Sequence, residues 1–242
     1  MLILEAVLAK LDLAGTKEDL SEDMPLYETW AQYLLEHGSD PGQQLSTEDF
    51  EGLVGHNVNL AMKAAVGLEA FAILLETAGR GEEAVHYHEK AREMAADVHA
   101  RAQAGDHTKY TFDAGEDSWS LKYNTVWDLF FGSKLWDNDF YQQETALYRR
   151  KCNAYGVTLY PGVSYTISWS VFLAASMDVT GRTVKDFSEC TLRFLEESPD
   201  RVPFTDWYMT EEARQCPLCP FQNRPVQGGM FMPVLLKRQT TN

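Results

Sequence analysis

The stretch that decides the fold is Asn57-Val-Asn-Leu-Ala-Met-Lys-Ala-Ala-Val-Gly-Leu-Glu-Ala-Phe-Ala-Ile-Leu-Leu-Glu-Thr-Ala-Gly79. Leu60, Ala64, Gly67, Leu68, Phe71 and Leu75 recur at three- and four-residue steps, the repeat of one helix face. Most positions between them are apolar as well. The spacing therefore predicts a helix buried on most sides, ending at Gly79. Residues 82–104 follow as a helix rich in Ala, Glu, Lys and Arg, with four charges between Glu89 and Glu93, and such a helix faces water. A buried helix joined to a half-exposed one is a helical hairpin.

The same alternation runs outward in both directions. Upstream, Ile3, Leu4, Val7, Leu8 and Leu11 open the chain inside an amphipathic helix with no capping residue before it. Asp19, Ser21 and Asp23 then introduce a second helix carrying Leu26, Trp30, Tyr33 and Leu34 as far as Gly38. Downstream, residues 106–120 read as a polar loop with a short extended piece at Thr111-Phe112. Helical spacing returns at 123–131, 140–155, 166–177 and 184–195. Residues 199–225 hold five of the nine prolines and read as irregular, and the last apolar stretch, 228–236, is interrupted by Pro233. Buried and half-exposed helices in alternation suit a double-layered helical ring. A bundle or an α-solenoid gives a similar pattern, although no fixed-period repeat is present to favour the solenoid.

Composition narrows the function classes. Among 242 residues, 36 acidic side chains face 21 basic ones, a formal net charge of -15. That excess repels phosphate backbones and anionic lipid headgroups, so neither nucleic acid nor membrane is an expected partner. With 45% apolar and 12% aromatic residues and no linker-like stretch, the chain is expected to fold as a single helical domain spanning 1–242. The apolar stretch 64–75 is short for a bilayer span and carries Glu69. The N-terminus does not read as a signal peptide, and the sequence names no compartment. Cys152, Cys190, Cys216 and Cys219 are too few for a disulfide scaffold. Cys216-Pro-Leu-Cys219 lacks a second pair at zinc spacing, so it reads as a strained loop with two thiols or a local disulfide.

Three polar and aromatic clusters lie at the beginnings of apolar helices, where a concave mouth would gather them. The first joins Asp49 in Thr47-Glu-Asp-Phe-Glu51 to His56, Asn57 and Asn59. Either asparagine alone suits a helix cap, yet the group is denser than capping needs. The second is Trp119-Ser-Leu-Lys-Tyr-Asn-Thr-Val-Trp-Asp128, with Lys122, Tyr123, Asn124, Trp127 and Asp128. Asn124, Trp127 and Asp128 are spaced three and four apart, placing an amide, an indole and a carboxylate on one helix face. The third is Pro203-Phe-Thr-Asp206-Trp207-Tyr208 with Arg224 following, equally readable as a structural ion pair. No phosphate loop, nucleophile elbow or zinc-protease helix is present. His86 and His88 are two apart on a helix that reads as solvent-facing, so no metal and no cofactor is expected.

At these clusters the sequence resembles the glutaminase A family. The likeness runs in order from Met1-Leu-Ile-Leu through Thr47-Glu-Asp-Phe, His56-Asn-Val-Asn-Leu, Gly105-Asp-His and Trp119-Ser-Leu-Lys-Tyr-Asn-Thr-Val-Trp-Asp. It continues through Ser198-Pro-Asp-Arg-Val-Pro-Phe-Thr-Asp-Trp-Tyr to Phe221-Gln-Asn-Arg-Pro-Val-Gln-Gly-Gly. The resemblance implies an all-α, six-hairpin glycosidase-like (α/α)6 toroid, here incomplete at its N-terminus, and hydrolysis of L-glutamine to glutamate and ammonia by a family whose members are often exported. Three positions depart from the family pattern. Ile167-Ser168-Trp169 stands where Lys-Ser-Asp-Trp is usual, Met209 where Asp follows the Trp-Tyr pair, and Cys216-Pro-Leu-Cys219-Pro is an insert.

The resemblance implies a small-molecule substrate, with Asp49, Asp128 and Asp206 as candidate acids or bases. His56, Asn57, Asn59, Trp119, Lys122, Tyr123, Asn124, Trp127, Trp207 and Arg224 are the candidate binding residues. A carboxylate would activate water while a cation or amide holds the developing oxyanion. The rival reading on the same fold is glycoside hydrolysis by a carboxylate pair, with Trp127 or Trp207 as the sugar platform. A third is a non-catalytic helical scaffold. An incomplete toroid exposes apolar faces, so the isolated chain is expected to form a homodimer through them or to be marginally stable.

Overall fold

In the computed structural model, residues 1–11, 16–46, 52–218 and 220–239 are described, without the side chains of 16–19, 21, 238 and 239. Asp49 and Cys219 lie outside the described residues. The chain is all-α. Its elements are α1 (Leu2–Lys10), α2 (Thr16–His37), β1 (Gln44–Leu45), β2 (Leu53–Val54), α3 (Val58–Thr77), α4 (Gly81–Ala102), β3 (Gln103–Ala104), β4 (His107–Thr108), α5 (Val126–Phe131), α6 (Asn138–Arg150), β5 (Tyr165–Ile167), α7 (Ser168–Ala175), α8 (Arg182–Glu197), β6 (Trp207–Met209) and α9 (Met232–Gln239). Single 3₁₀ turns, Tyr123–Thr125 and Gly228–Phe231, precede α5 and α9.

The described chain forms two compact units. The first comprises Met1–Gln103, Thr111–Ala114 and Trp127–Trp136. Its centre is α3, which packs against α1, α2 and α4. Helix α3 is 20 residues long, long and apolar enough to span a bilayer, and its most apolar 18-residue window has a mean hydropathy of 1.7 and is 83% buried within the protein. Burial is the reason for its composition. At Gly38 and Gly67 the neighbouring helices come so close that an added Cβ would lie 2.7 Å from the Ala64 Cβ or 2.8 Å from a Leu34 methyl. Helix α4 turns its Ala84, Ala91, Met94, Ala95, Val98 and Ala102 inward.

Two departures from the sequence reading fall in this unit. His88 does not face solvent. Its Nδ1 sits 2.9 Å from the buried Glu69 carboxylate in mid α3, and its Nε2 lies 3.4 Å from Glu76. A carboxylate cannot remain buried among apolar side chains without such a partner. Helix α2 also begins ahead of its expected caps and continues through Pro25. Leu20, Met24, Tyr27 and Ala31 are buried at helical spacing, and this packing outweighs the hydrogen bond that proline cannot donate.

The second unit comprises Ala104–Tyr110, Gly115–Val126 and Asp137–Asn242. Its inner helix is the short α7, flanked by α8, α9 and both 3₁₀ turns. The turn Gly228–Phe231 lies against α7 so tightly that a Cβ on Gly229 would fall 2.4 Å from the Trp169 carbonyl oxygen. Where periodicity suggested a helix from residue 166, Tyr165–Ile167 is instead a strand paired antiparallel with Trp207–Met209, Thr166 opposite Tyr208. Helix α6 stops at Arg150 rather than Tyr155. The Asn153 N–H turns to the Gly156 carbonyl at 2.8 Å and the Tyr155 N–H goes to the Thr210 carbonyl at 2.9 Å, so backbone groups that would have prolonged the helix are taken elsewhere, and the Asn153 side-chain amide adds a bond to the Thr210 hydroxyl at 2.9 Å. Pro233 stands in the first turn of α9, where its missing N–H has no helical partner to lose.

Candidate functional site

In the first unit, the opening of α3 is built by Asn57. Its side chain accepts a hydrogen bond from the Leu60 N–H at 3.0 Å, the geometry of an N-cap. Asn59 is buried in the first turn of the same helix. His56, just ahead, takes a positive φ of 59° and is exposed. Its Nδ1 is 2.8 Å from the Asp40 carboxylate, and that hydrogen bond, with the Asp40 charge, raises its pKa above the ordinary histidine value. The His56 carbonyl accepts from the Phe112 N–H at 2.9 Å, tying the expected extended piece to this corner.

Trp127 and Asp128 belong to the same unit. Asp128 is 1% exposed. One carboxylate oxygen accepts from the Leu135 N–H at 3.0 Å and the other from the Trp136 N–H at 3.5 Å, while the Asp128 carbonyl accepts from Gly132 and Ser133. The side chain thus closes the turn that follows α5, where Gly132 and Lys134 adopt positive φ. Trp127 is half-buried and meets Phe130 edge-on.

Trp119, Lys122, Tyr123 and Asn124 lie in the second unit, all buried. The Lys122 ammonium donates to the carbonyl of Ser120 at 3.0 Å, to its hydroxyl at 2.9 Å and to the Thr108 carbonyl at 3.4 Å. Burial pushes its pKa down to about 8, with the Glu144 carboxylate acting against the shift. Glu144 itself accepts from the Thr108 N–H and hydroxyl and from the Tyr148 hydroxyl, each at 2.7 Å. Tyr148 in turn accepts from the Lys122 N–H at 2.9 Å. This closed network fixes the backbone at 108 and 122 and occupies most of what Lys122 could offer a ligand. Tyr123 packs edge-on against Trp169.

Asp206 differs from all of these. It stands immediately before β6, with its carbonyl accepting from the Ser168 N–H at 2.8 Å where α7 begins. Its residue is 0% exposed, and neither carboxylate oxygen has a hydrogen-bond partner among the described residues. The nearest cation is Arg224, whose Nε lies 3.6 Å from Oδ1 and whose side chain remains 25% exposed. Burial raises the Asp206 pKa, and the Arg224 charge, with a smaller contribution from the residue's own backbone N–H, offsets this only in part. The segment bearing Arg224 is held by the Asn223 N–H, which donates to the Phe204 carbonyl at 3.0 Å. The guanidinium lies over the Phe221 ring at 4.5 Å, and Phe221 stacks on Trp207. Asp206, Trp207 and Arg224 therefore lie together in the second unit.

Two residues here were not singled out from the sequence. Ser168 donates its hydroxyl to the Gln227 side-chain oxygen at 3.4 Å. Gln227 lies inside the family-like stretch Phe221 to Gly229, which was the available signal, whereas Ser168 belongs to Ile167-Ser168-Trp169, where the chain departs from the family pattern. Among the described residues, no group of three or more His, Cys, Asp or Glu is arranged to hold a metal ion.

Residues 1–234 match the glutaminase A six helical-hairpin domain. The chain belongs to this family. It is 31% identical over 235 residues to glutaminase A of Aspergillus oryzae (strain ATCC 42149 / RIB 40), covering 95% of this chain and 34% of that protein. It is 25% identical over 244 residues to "Probable glutaminase/05536" of Arthroderma benhamiae (strain ATCC MYA-4681 / CBS 112371), covering 88% of this chain and 28% of that protein. The chain thus spans about a third of the length of the curated relatives it matches.

Proposed function

We propose that this glutaminase A family chain takes part in hydrolysis of the L-glutamine side-chain amide, with Asp206 as general base and Arg224 as the cationic partner of the substrate. Family membership and the names of the two relatives supply the reaction class. The observation that carries the site is the state of Asp206, a buried carboxylate with no hydrogen bond to either oxygen and one guanidinium close by. A carboxylate accepts up to about four hydrogen bonds, so this one has capacity for an attacking water and for the leaving amide nitrogen. In this reading Asp206 takes a proton from water as the water oxygen adds to the amide carbon. It then returns that proton to the nitrogen as the C–N bond breaks, giving glutamate and ammonia. Desolvation makes the carboxylate a stronger base than an ordinary aspartate, moving its pKa towards working pH. Arg224, exposed on one side, is placed to hold the developing oxyanion or the substrate carboxylate.

The test is ammonia release from L-glutamine, measured on this chain and on a chimera in which it replaces the matching region of Aspergillus oryzae glutaminase A. The expected result is turnover that Asp206→Asn removes with the circular dichroism unchanged. Turnover by neither protein, undiminished turnover by the variant, or cleavage of aryl glycosides in place of glutamine would overturn the reading.

A further inference from the structure

Cys152 and Cys190 are distant in sequence and adjacent in the second unit. Cys152 lies just past the end of α6, Cys190 lies on α8, and their sulfurs are 3.4 Å apart. Both also approach the Asn153 carbonyl, at 3.5 and 3.9 Å. Their meeting does not depend on the sulfurs. Arg149 pairs with Asp186 at 2.7 Å, Arg193 donates to the Ala154 carbonyl at 3.0 Å and the Tyr155 hydroxyl donates to Glu197, so three other contacts clamp the end of α6 and its following turn onto α8. Each thiol is half-buried, within reach of a small reagent and poorly placed for a second protein chain.

We infer that Cys152 and Cys190 form a two-thiol oxidation site, which a low-molecular-weight disulfide converts into an internal disulfide joining α8 to the turn after α6. Its hydrogen bond with the Cys152 thiol lowers the Cys190 pKa to about 7, helped by Arg193 and opposed by burial and by Asp186 and Glu189. The same hydrogen bond and burial push Cys152 up. Cys190 is therefore the attacking thiolate. It adds to one sulfur of the small disulfide and expels the other half as a thiolate, leaving a mixed disulfide on Cys190. Cys152 then loses its proton and attacks the Cys190 sulfur, expelling the second half. Two protein thiols are oxidised, one small disulfide is reduced to two thiols, and the two protons pass to the released thiolates. Closure shortens the sulfur separation from 3.4 Å to about 2.05 Å. The clamp favours this second step over accumulation of the mixed disulfide, because the resolving thiol is already in place.

The experiment treats the purified chain with oxidised glutathione, then alkylates, digests and maps thiols by mass spectrometry, with melting followed in parallel. The expected product has lost the mass of two hydrogen atoms, carries a Cys152–Cys190 linked peptide and melts about 5–10 °C higher, since the cross-link closes a long loop. Cys152→Ser should instead retain glutathione on Cys190, and phenylarsine oxide, which bridges neighbouring thiols, should block the reaction in the wild type. Full alkylation of both residues after oxidation would overturn the inference, as would a stable glutathione adduct on wild-type Cys190 or linkage of either residue to Cys216 or Cys219. The wild-type map alone decides this if a variant fails to fold.

Discussion

Asp128 and Asp206 share a residue type, near-complete burial and a place in a family-like sequence motif, yet their surroundings make them opposites. Asp128 gives its oxygens to two backbone N–H groups of the turn that follows α5. Asp206 gives its own to none and faces one guanidinium at 3.6 Å. A buried carboxylate with engaged oxygens holds the fold, whereas one without hydrogen bonds is retained at a cost in stability. Such a cost is the signature expected of a site that serves a ligand. Burial alone does not separate the two roles; hydrogen bonding does.

The largest effect that would break this comparison is catalytic. Asp206→Asn keeps the shape and removes the base, so kcat/KM for glutamine should fall about 100- to 10,000-fold, read by ammonia release in the chimera. Asp128→Asn should leave kcat/KM within a few-fold. If the two variants exchange behaviour, engaged and unengaged oxygens do not mark structural and functional carboxylates.

Stability supplies the converse test. Asp128→Ala removes the acceptor of one buried and one part-buried N–H group and should cost about 2 kcal/mol in urea unfolding, with Asn at the same position recovering part of it. A cost below about 0.5 kcal/mol would show that water replaces the carboxylate easily, since only well-buried donors carry the full penalty.

Legibility in the sequence followed the same division between local and distant partners. The hairpin of α3 and α4 was readable because a three-and-four spacing fixes both the helix and its buried face within one segment. The cap at Asn57 was readable for the same reason. The strand at Tyr165–Ile167 was not, because its partner Trp207–Met209 lies far along the chain. The end of α6 was missed because Thr210 determines it. Spacing placed Asp206, Trp207 and Arg224 in one cluster without revealing that Asp206 is left without hydrogen bonds. Nor did it show that Asp128 is held by a turn, or that Cys152 meets Cys190. In each case the deciding atom belongs to another element.

A smaller effect concerns pH. Burial raises the Asp206 pKa in the folded protein above that of the unfolded chain, about 3.9. The folded state therefore binds the proton more tightly, and the charged form is a liability that is complete above the folded pKa. Stability from this group is lost as pH rises through that window and regained as pH falls. Asp206→Asn should melt above the wild type at neutral pH, and the gap should close as pH drops through the folded pKa towards about 3.9. A gap that is constant with pH, or a variant that melts lower, would mean that the Arg224 pair stabilises more than burial penalises.

The smallest effect asks on which side Asn57 falls. Its side chain caps α3 through the Leu60 N–H, so it resembles Asp128 in holding backbone, although it was first singled out beside His56 and Asn59 as a binding residue. Asn57→Ala should cost about 1 kcal/mol and Asn57→Ser only a few tenths, because serine caps nearly as well as asparagine. The serine variant is the informative one. It keeps the cap but removes the amide that a substrate would contact, so unchanged kcat/KM in Asn57→Ser assigns the residue to the fold. A rise in KM at wild-type stability would instead show that its side chain serves both the backbone and a ligand. Helix-capping geometry would then no longer suffice to dismiss a residue from the site, and the contrast between engaged and unengaged side chains would hold for carboxylates alone.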